Sequence, residues 1–155
     1  MRSTRRSHSA NITLTDFDGR PWVQVEFEHE GIPAWTISLC LLEAGLIETV
    51  RLSSLRPPFT LQFALDRGLP TGDRAQARRY DAALDLALSP DELSYWTAFF
   101  LKYCRDNMGE VDHIDCEVRG PNGLDLTLTV PYTQPPLSPE ELKRSLDASE
   151  SGPTP

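Results

Sequence analysis

His113, Asp115 and Glu117 occupy alternate positions of one run, Asp112-His113-Ile114-Asp115-Cys116-Glu117. Alternate side chains of a strand share a face. One imidazole and two carboxylates would therefore project together, while Ile114, Cys116 and Val118 point inward. Such a set could hold a divalent metal with open positions. No second histidine lies nearby in sequence, and charged side chains belong on the solvated face of a strand in any case. The spacing predicts a plain outer face, with no metal and no cofactor.

Nucleophilic catalysis needs a base held against the nucleophile by a third group. His29 and His113 are the histidines expected in the folded body, and His29 falls in a turn. Ser38 and Ser94 have no histidine near them in sequence. There is no G-x-S-x-G elbow, no P-loop and no G-x-G-x-x-G. Asp16 and Asp18 flank a turn, where ordinary turn chemistry accounts for them. Cys40, Cys104 and Cys116 are odd in number and far apart, with no CxxC spacing. Their apolar neighbours predict buried, reduced thiols and hence a cytoplasmic compartment. No residue set designates an enzyme.

The charge says more. The 155 residues carry a net charge of −8. Without Arg2, Arg5 and Arg6 of the N-terminal tail, 12 basic residues face 23 acidic ones, leaving −11. A body this acidic repels nucleic acid and anionic membrane and attracts basic partners. Arg67, Arg74, Arg78 and Arg79 form its one basic cluster, read as balancing the carboxylates. Met1–Ala10 has no apolar stretch to make a secretory signal. No run of about 18 apolar residues could span a membrane as a helix.

The elements that must position these groups follow from periodicity. Ser89-Pro90-Asp91-Glu92 is a capping box with proline at the first helical position. It opens an aromatic helix over about 90–106. Leu93, Trp96, Phe100 and Cys104 form its expected sheet-facing stripe, and Tyr95, Phe99 and Tyr103 form a second stripe. One sheet cannot cover both, so the second is a candidate partner surface.

Strand-like alternation surrounds this helix. Asp18-Gly19 marks a hairpin between a strand toward Phe17 and one from Trp22. In that hairpin Val23, Val25 and Phe27 face one way, and Gln24, Glu26 and Glu28 the other. A short helix over about Ala34–Ala44 and a strand over Leu46–Leu52 come next. Phe59–Leu65, Tyr80–Leu88, the run around Ile114 and Leu124–Val130 complete the strands, with Pro121-Asn122-Gly123 as the last turn. Asp73 reads as the cap of one helical turn through Arg79, and Asn107-Met108-Gly109 as a break.

The expected fold is α+β, in a single domain over 11–132. Its sheet is largely antiparallel, of six or seven strands, packed on the aromatic helix with one or two shorter helices. Residues 1–10 are expected to be a disordered basic tail. Residues 133–155 form a Pro/Ser/Glu-rich tail with one short helix at 139–147 and disorder from Ala148 onward.

The expected function is that of a small acidic cytoplasmic protein-binding module, in the manner of an immunity or antitoxin-like inhibitor of a basic protein. Glu26, Glu28, Tyr95, Phe99 and Tyr103 are its candidate contact residues. The alternatives are a small-molecule or enzymatic pocket lined by Trp96 and Phe100, and a structural homodimer that pairs with a second copy of itself.

Overall fold

The computed structural model describes residues 5–70, 72–80, 83–106, 113–120, 123–131 and 138–150. Its strands are β1 (Arg5–Ser9), β2 (Asn11–Phe17), β3 (Arg20–Glu26), β4 (Thr49–Leu55), β5 (Pro58–Leu65), β6 (Ala75–Tyr80), β7 (Ala83–Leu88), β8 (His113–Arg119) and β9 (Leu124–Thr129). The α-helices are α1 (Ile32–Glu43), α2 (Pro90–Asp106) and α3 (Pro139–Glu150). The breaks expected at Asn107-Met108-Gly109 and Pro121-Asn122 lie outside the described residues, as do 1–4 and 151–155.

All nine strands join one sheet in the order β1-β4-β5-β7-β6-β8-β9-β3-β2. The fold is α+β in a single domain, as expected, but the sheet is mixed and larger. The hairpins β2–β3, β4–β5, β6–β7 and β8–β9 are antiparallel. The seams between hairpins, β1–β4, β5–β7, β6–β8 and β3–β9, are all parallel. Chain order reveals hairpins readily, because a tight turn forces antiparallel pairing. It does not reveal which hairpin lies beside which.

Two strands were not foreseen. Arg5–Ser9 lacks apolar alternation yet pairs with β4 as an edge strand, where a disordered tail was expected. Ala75–Tyr80 forms β6, where a helical turn was expected, because its inward residues Ala75 and Ala77 are small and give little strand signal. A bulge at Arg78 interrupts β6 and brings that guanidinium to Asp66 at 2.6 Å.

Residues 5–17 serve both ends of this order. Arg5–Ser9 pairs with β4 and Asn11–Phe17 pairs with β3, with only Ala10 between them. The Ala10 N–H donates to the Ser53 carbonyl at 3.2 Å. One run of chain therefore closes the sheet on itself at this corner, which removes open edges there.

The apolar face of the sheet packs on α1 and α2, which run antiparallel. Ser94 Oγ donates to Glu43 Oε1 at 2.6 Å at one end of the pair, and Thr36 Oγ1 meets Cys104 Sγ at 3.5 Å at the other. Trp35 centres the core, with ring centroids 5.1 Å from Phe27 and 5.9 Å from both Phe63 and Phe100. Trp96 meets Phe63 at 5.3 Å. Truncating one such ring to alanine typically costs about 3–5 kcal/mol.

Local grammar sets the boundaries. Asp18 and Gly19 both take positive φ, 54° and 77°, as a two-residue hairpin of the primed kind requires. Helix α1 ends on Gly45 at φ 76°, with Gly45 N–H bonded to Leu42 and Leu46 N–H to Leu41 in a Schellman arrangement. Helix α2 begins where Ser89 Oγ accepts the Glu92 N–H at 3.1 Å. Glu92 does not complete the box, because its carboxylate turns inward to accept the Trp96 indole N–H at 2.8 Å. The box of α3 is reciprocal, with Ser138 and Glu141 bonded both ways.

Candidate functional site

The outer face of β3, β9 and β8 is a grid set by register. Trp22 lies beside Asp125 and Glu117 in one row, and Gln24 beside Thr127 and Asp115 in the next. Burial alternates along β8 as the sequence predicts, with His113, Asp115, Glu117 and Arg119 exposed and Ile114, Cys116 and Val118 buried. The expected shared face of His113, Asp115 and Glu117 is therefore real. Among the described residues no group of three or more His, Cys, Asp or Glu is placed to hold a metal ion.

These side chains are held by their neighbours. The Trp22 indole N–H donates to Thr127 Oγ1 at 2.9 Å, and that hydroxyl donates to Asp115 Oδ1 at 2.6 Å. Arg20 bridges Glu117 at 3.2 Å and Asp125 at 3.0 Å, and these hydrogen bonds raise its already high pKa. Trp22, Asp115, Glu117, Asp125 and Thr127 line a depression of about 640 Å³ that reaches Arg74 and Cys116.

Arg74 and Cys116 mark a gap in the sheet. Among the described residues β6 and β8 pair only at Ala75–Val118 and Gln76–Arg119. Below that point the strands part. Asp73 fastens the junction, since its buried carboxylate meets Arg119 at 2.7 Å and Gln76 at 2.8 Å. A second groove, of about 790 Å³, opens at the gap and runs past Asp73, Arg74, Asp91, Glu92 and Asp115 to Tyr95. The two depressions share Arg74 and Asp115.

Among the residues lining the two depressions, carboxylates outnumber the one basic side chain, Arg74. Carboxylates at Asp91, Asp115, Glu117 and Asp125 line the two depressions along with Trp22, Tyr95 and Arg74, and Arg20 bridges Glu117 and Asp125; aromatic faces attract cations. Cys116 is a poor nucleophile: burial, and then the charge of the nearby Glu92 carboxylate, push its pKa well up, with Arg74 opposing.

The candidate contact residues fall in different places. Glu26 is exposed on the outer face, in the same strand as Trp22, and Tyr95 is 54% exposed at the end of the groove. Glu28 is exposed but borders a separate hollow with Ser9, Asn11 and Arg56. Phe99 is half-buried with its ring against Phe100 at 5.1 Å. Tyr103 is buried, its hydroxyl bonded to the Pro131 carbonyl at 3.2 Å and to His29 Nδ1 at 3.0 Å. Tyr103 thus takes the inward place expected of Cys104, which is exposed, and Cys40 is only half-buried. Of the three expected buried thiols, Cys116 alone is buried.

Trp96 and Phe100, expected to line a pocket, are fully buried in the packed core. Ser38 does meet a histidine, but one from β1: His8 Nε2 lies 2.6 Å away. Ser38 exposes none of its surface, so it reaches no substrate.

Sequence reasoning missed Trp22, Asp125 and Thr127 as site residues. Alternation placed Trp22 outward, opposite Val23, but the adjacency of β3 and β9 depends on a parallel seam. Compared with known proteins, the chain matches no family model and no curated protein.

Proposed function

We propose that this chain is an acidic protein-binding module that receives a basic segment of another protein across the outer face of β3, β9 and β8. One observation supports it above others. Two depressions that share Arg74 and Asp115 are lined mostly by carboxylates among their charged residues, with Tyr95 in one and Trp22 in the other. The net charge of −8 adds long-range attraction for such a partner. An inhibitor that masks the basic surface of a toxin or nuclease in the cytoplasm is the form this module would take. Glu26 and Tyr95 extend its contact surface at either end.

The test is affinity capture from the native host with wild-type protein and with Asp115→Lys/Glu117→Lys, both exposed positions. The reading expects a basic protein retained by the wild type, released by salt and lost by the variant. Equal retention of that protein by both would contradict it.

A second reading, a homodimer, is favoured by the outward face of the helices. Ile37 is 53% and Leu101 48% exposed there, on a helix pair whose first member is apolar around its circumference. Sedimentation that remains monomeric at high concentration would remove it.

A further inference from the structure

His8 is the titratable group of the N-terminal strand, and the structure seats it half-buried against α1. Its Nε2 lies 2.6 Å from Ser38 Oγ, and its ring meets the Trp35 ring edge-on at 5.9 Å. Ser38 and Trp35 are fully buried. The indole N–H of Trp35 has no hydrogen-bond partner among the described residues. The ring thus ties an edge strand to the core at the corner where residues 5–17 close the sheet.

We propose that β1 is an acid-released clasp, in which protonation of His8 frees Arg5–Ser9 from β4 and opens the β4 edge. Among the described residues, no carboxylate hydrogen-bonds or pairs with the ring. Arg6, on the same strand and the same face, is a like charge. From α1 the ring meets the uncharged Ser38 and Trp35, and from β4 it stands in register with Leu52, with Val50 beside it. A charged imidazole here loses water and faces Arg6 without a carboxylate to hold it.

The electrostatics agree in direction. Burial, and then Arg6, lower the pKa of His8 from its ordinary 6.5. The released strand therefore binds a proton more readily than the docked one. Docking is at full strength above pH 6.5 and weakens as the pH falls through the lowered value. Release leaves unpaired N–H and C=O groups along Thr49–Leu55, a template for an extended segment of another chain.

Hydrogen exchange of the Ala10 amide reads the clasp directly, since that N–H donates to Ser53 of β4. Protection is measured by NMR at about pH 7.5 and about pH 5, each divided by the intrinsic exchange rate. The clasp predicts a severalfold loss of Ala10 protection in acid, with Leu126 of the interior strand β9 unchanged. His8→Gln, which keeps a polar group near Ser38 but cannot titrate, should abolish the loss. Equal protection at both pH values, or the same loss in His8→Gln, would overturn the proposal. If that variant does not fold, the NMR titration of His8 in the wild type decides. A midpoint below 6.5 supports the clasp, and one at or above 6.5 overturns it.

Discussion

Arg119 Nε lies 2.7 Å from the Asp73 carboxylate, and this contact fastens the shortest seam of the sheet. Among the described residues β6 and β8 meet there over two residue pairs, and both depressions of the candidate site open beside it. Asp73 is buried while the Arg119 side chain is 73% exposed. Loss of the carboxylate would free Arg119 into water but leave Gln76 without its acceptor.

Asp73→Ala should therefore destabilise the fold by about 1.5–3 kcal/mol, the range for hydrogen bonds to a charged group. Chemical denaturation measures this. An unchanged midpoint would mean that the seam is held by the strand pairing alone.

Ser89→Ala should cost about 1 kcal/mol, the usual loss for an N-cap side chain. The Glu92 N–H would lose its acceptor at the start of α2. Glu92→Gln should cost less, because the amide oxygen can still accept the Trp96 indole N–H. A larger loss for Glu92→Gln than for Ser89→Ala would show that charge on Glu92 matters more than the cap.

Thiol labelling should follow exposure. Cys104 reacts first and Cys40 more slowly. Cys116 reacts only as the protein unfolds, since it is buried and its thiol is held protonated by burial and Glu92. Mass spectrometry after timed alkylation gives the order. Early modification of Cys116 in the native protein would place it in an open site instead.

What the sequence made legible follows physical range. The β2–β3 hairpin was readable because Asp18-Gly19 carries its own turn geometry within two residues. Helix α2 was readable because its cap and its stripe are local. Helical spacing alone turns Tyr103 outward, because only the third dimension supplies His29 and Pro131 as its partners. β1 and β6 escaped notice because their inward residues are small or polar, and their pairing is decided by distant strands. The outer face of β8 was legible from alternation, but its meeting with Trp22 rests on the parallel β3–β9 seam. No local pattern encodes that seam.

Glu26→Lys with Glu28→Lys should leave the melting temperature within about a degree or two, as expected of exposed surface substitutions. Both side chains are exposed. Of the two, Glu26 shares the outer face with Trp22, so its reversal alone should slow association with a basic partner severalfold at low salt. If Glu28→Lys has the larger effect on the on-rate, the contact surface lies toward the Ser9–Arg56 hollow.

The central claim is that the carboxylates lining the depressions with Trp22 and Tyr95 take up positive charge. The most direct measurement is an NMR titration with a short arginine-rich peptide, following the Trp22 indole N–H and the amides of Asp115, Thr127 and Asp125. The account predicts saturable shifts at these positions, weakening as salt shortens the Debye length from about 10 Å at 0.1 M to about 3 Å at 1 M. It also predicts their loss in Asp115→Lys/Glu117→Lys. Shifts spread evenly over all exposed carboxylates, or confined to other faces, would contradict it.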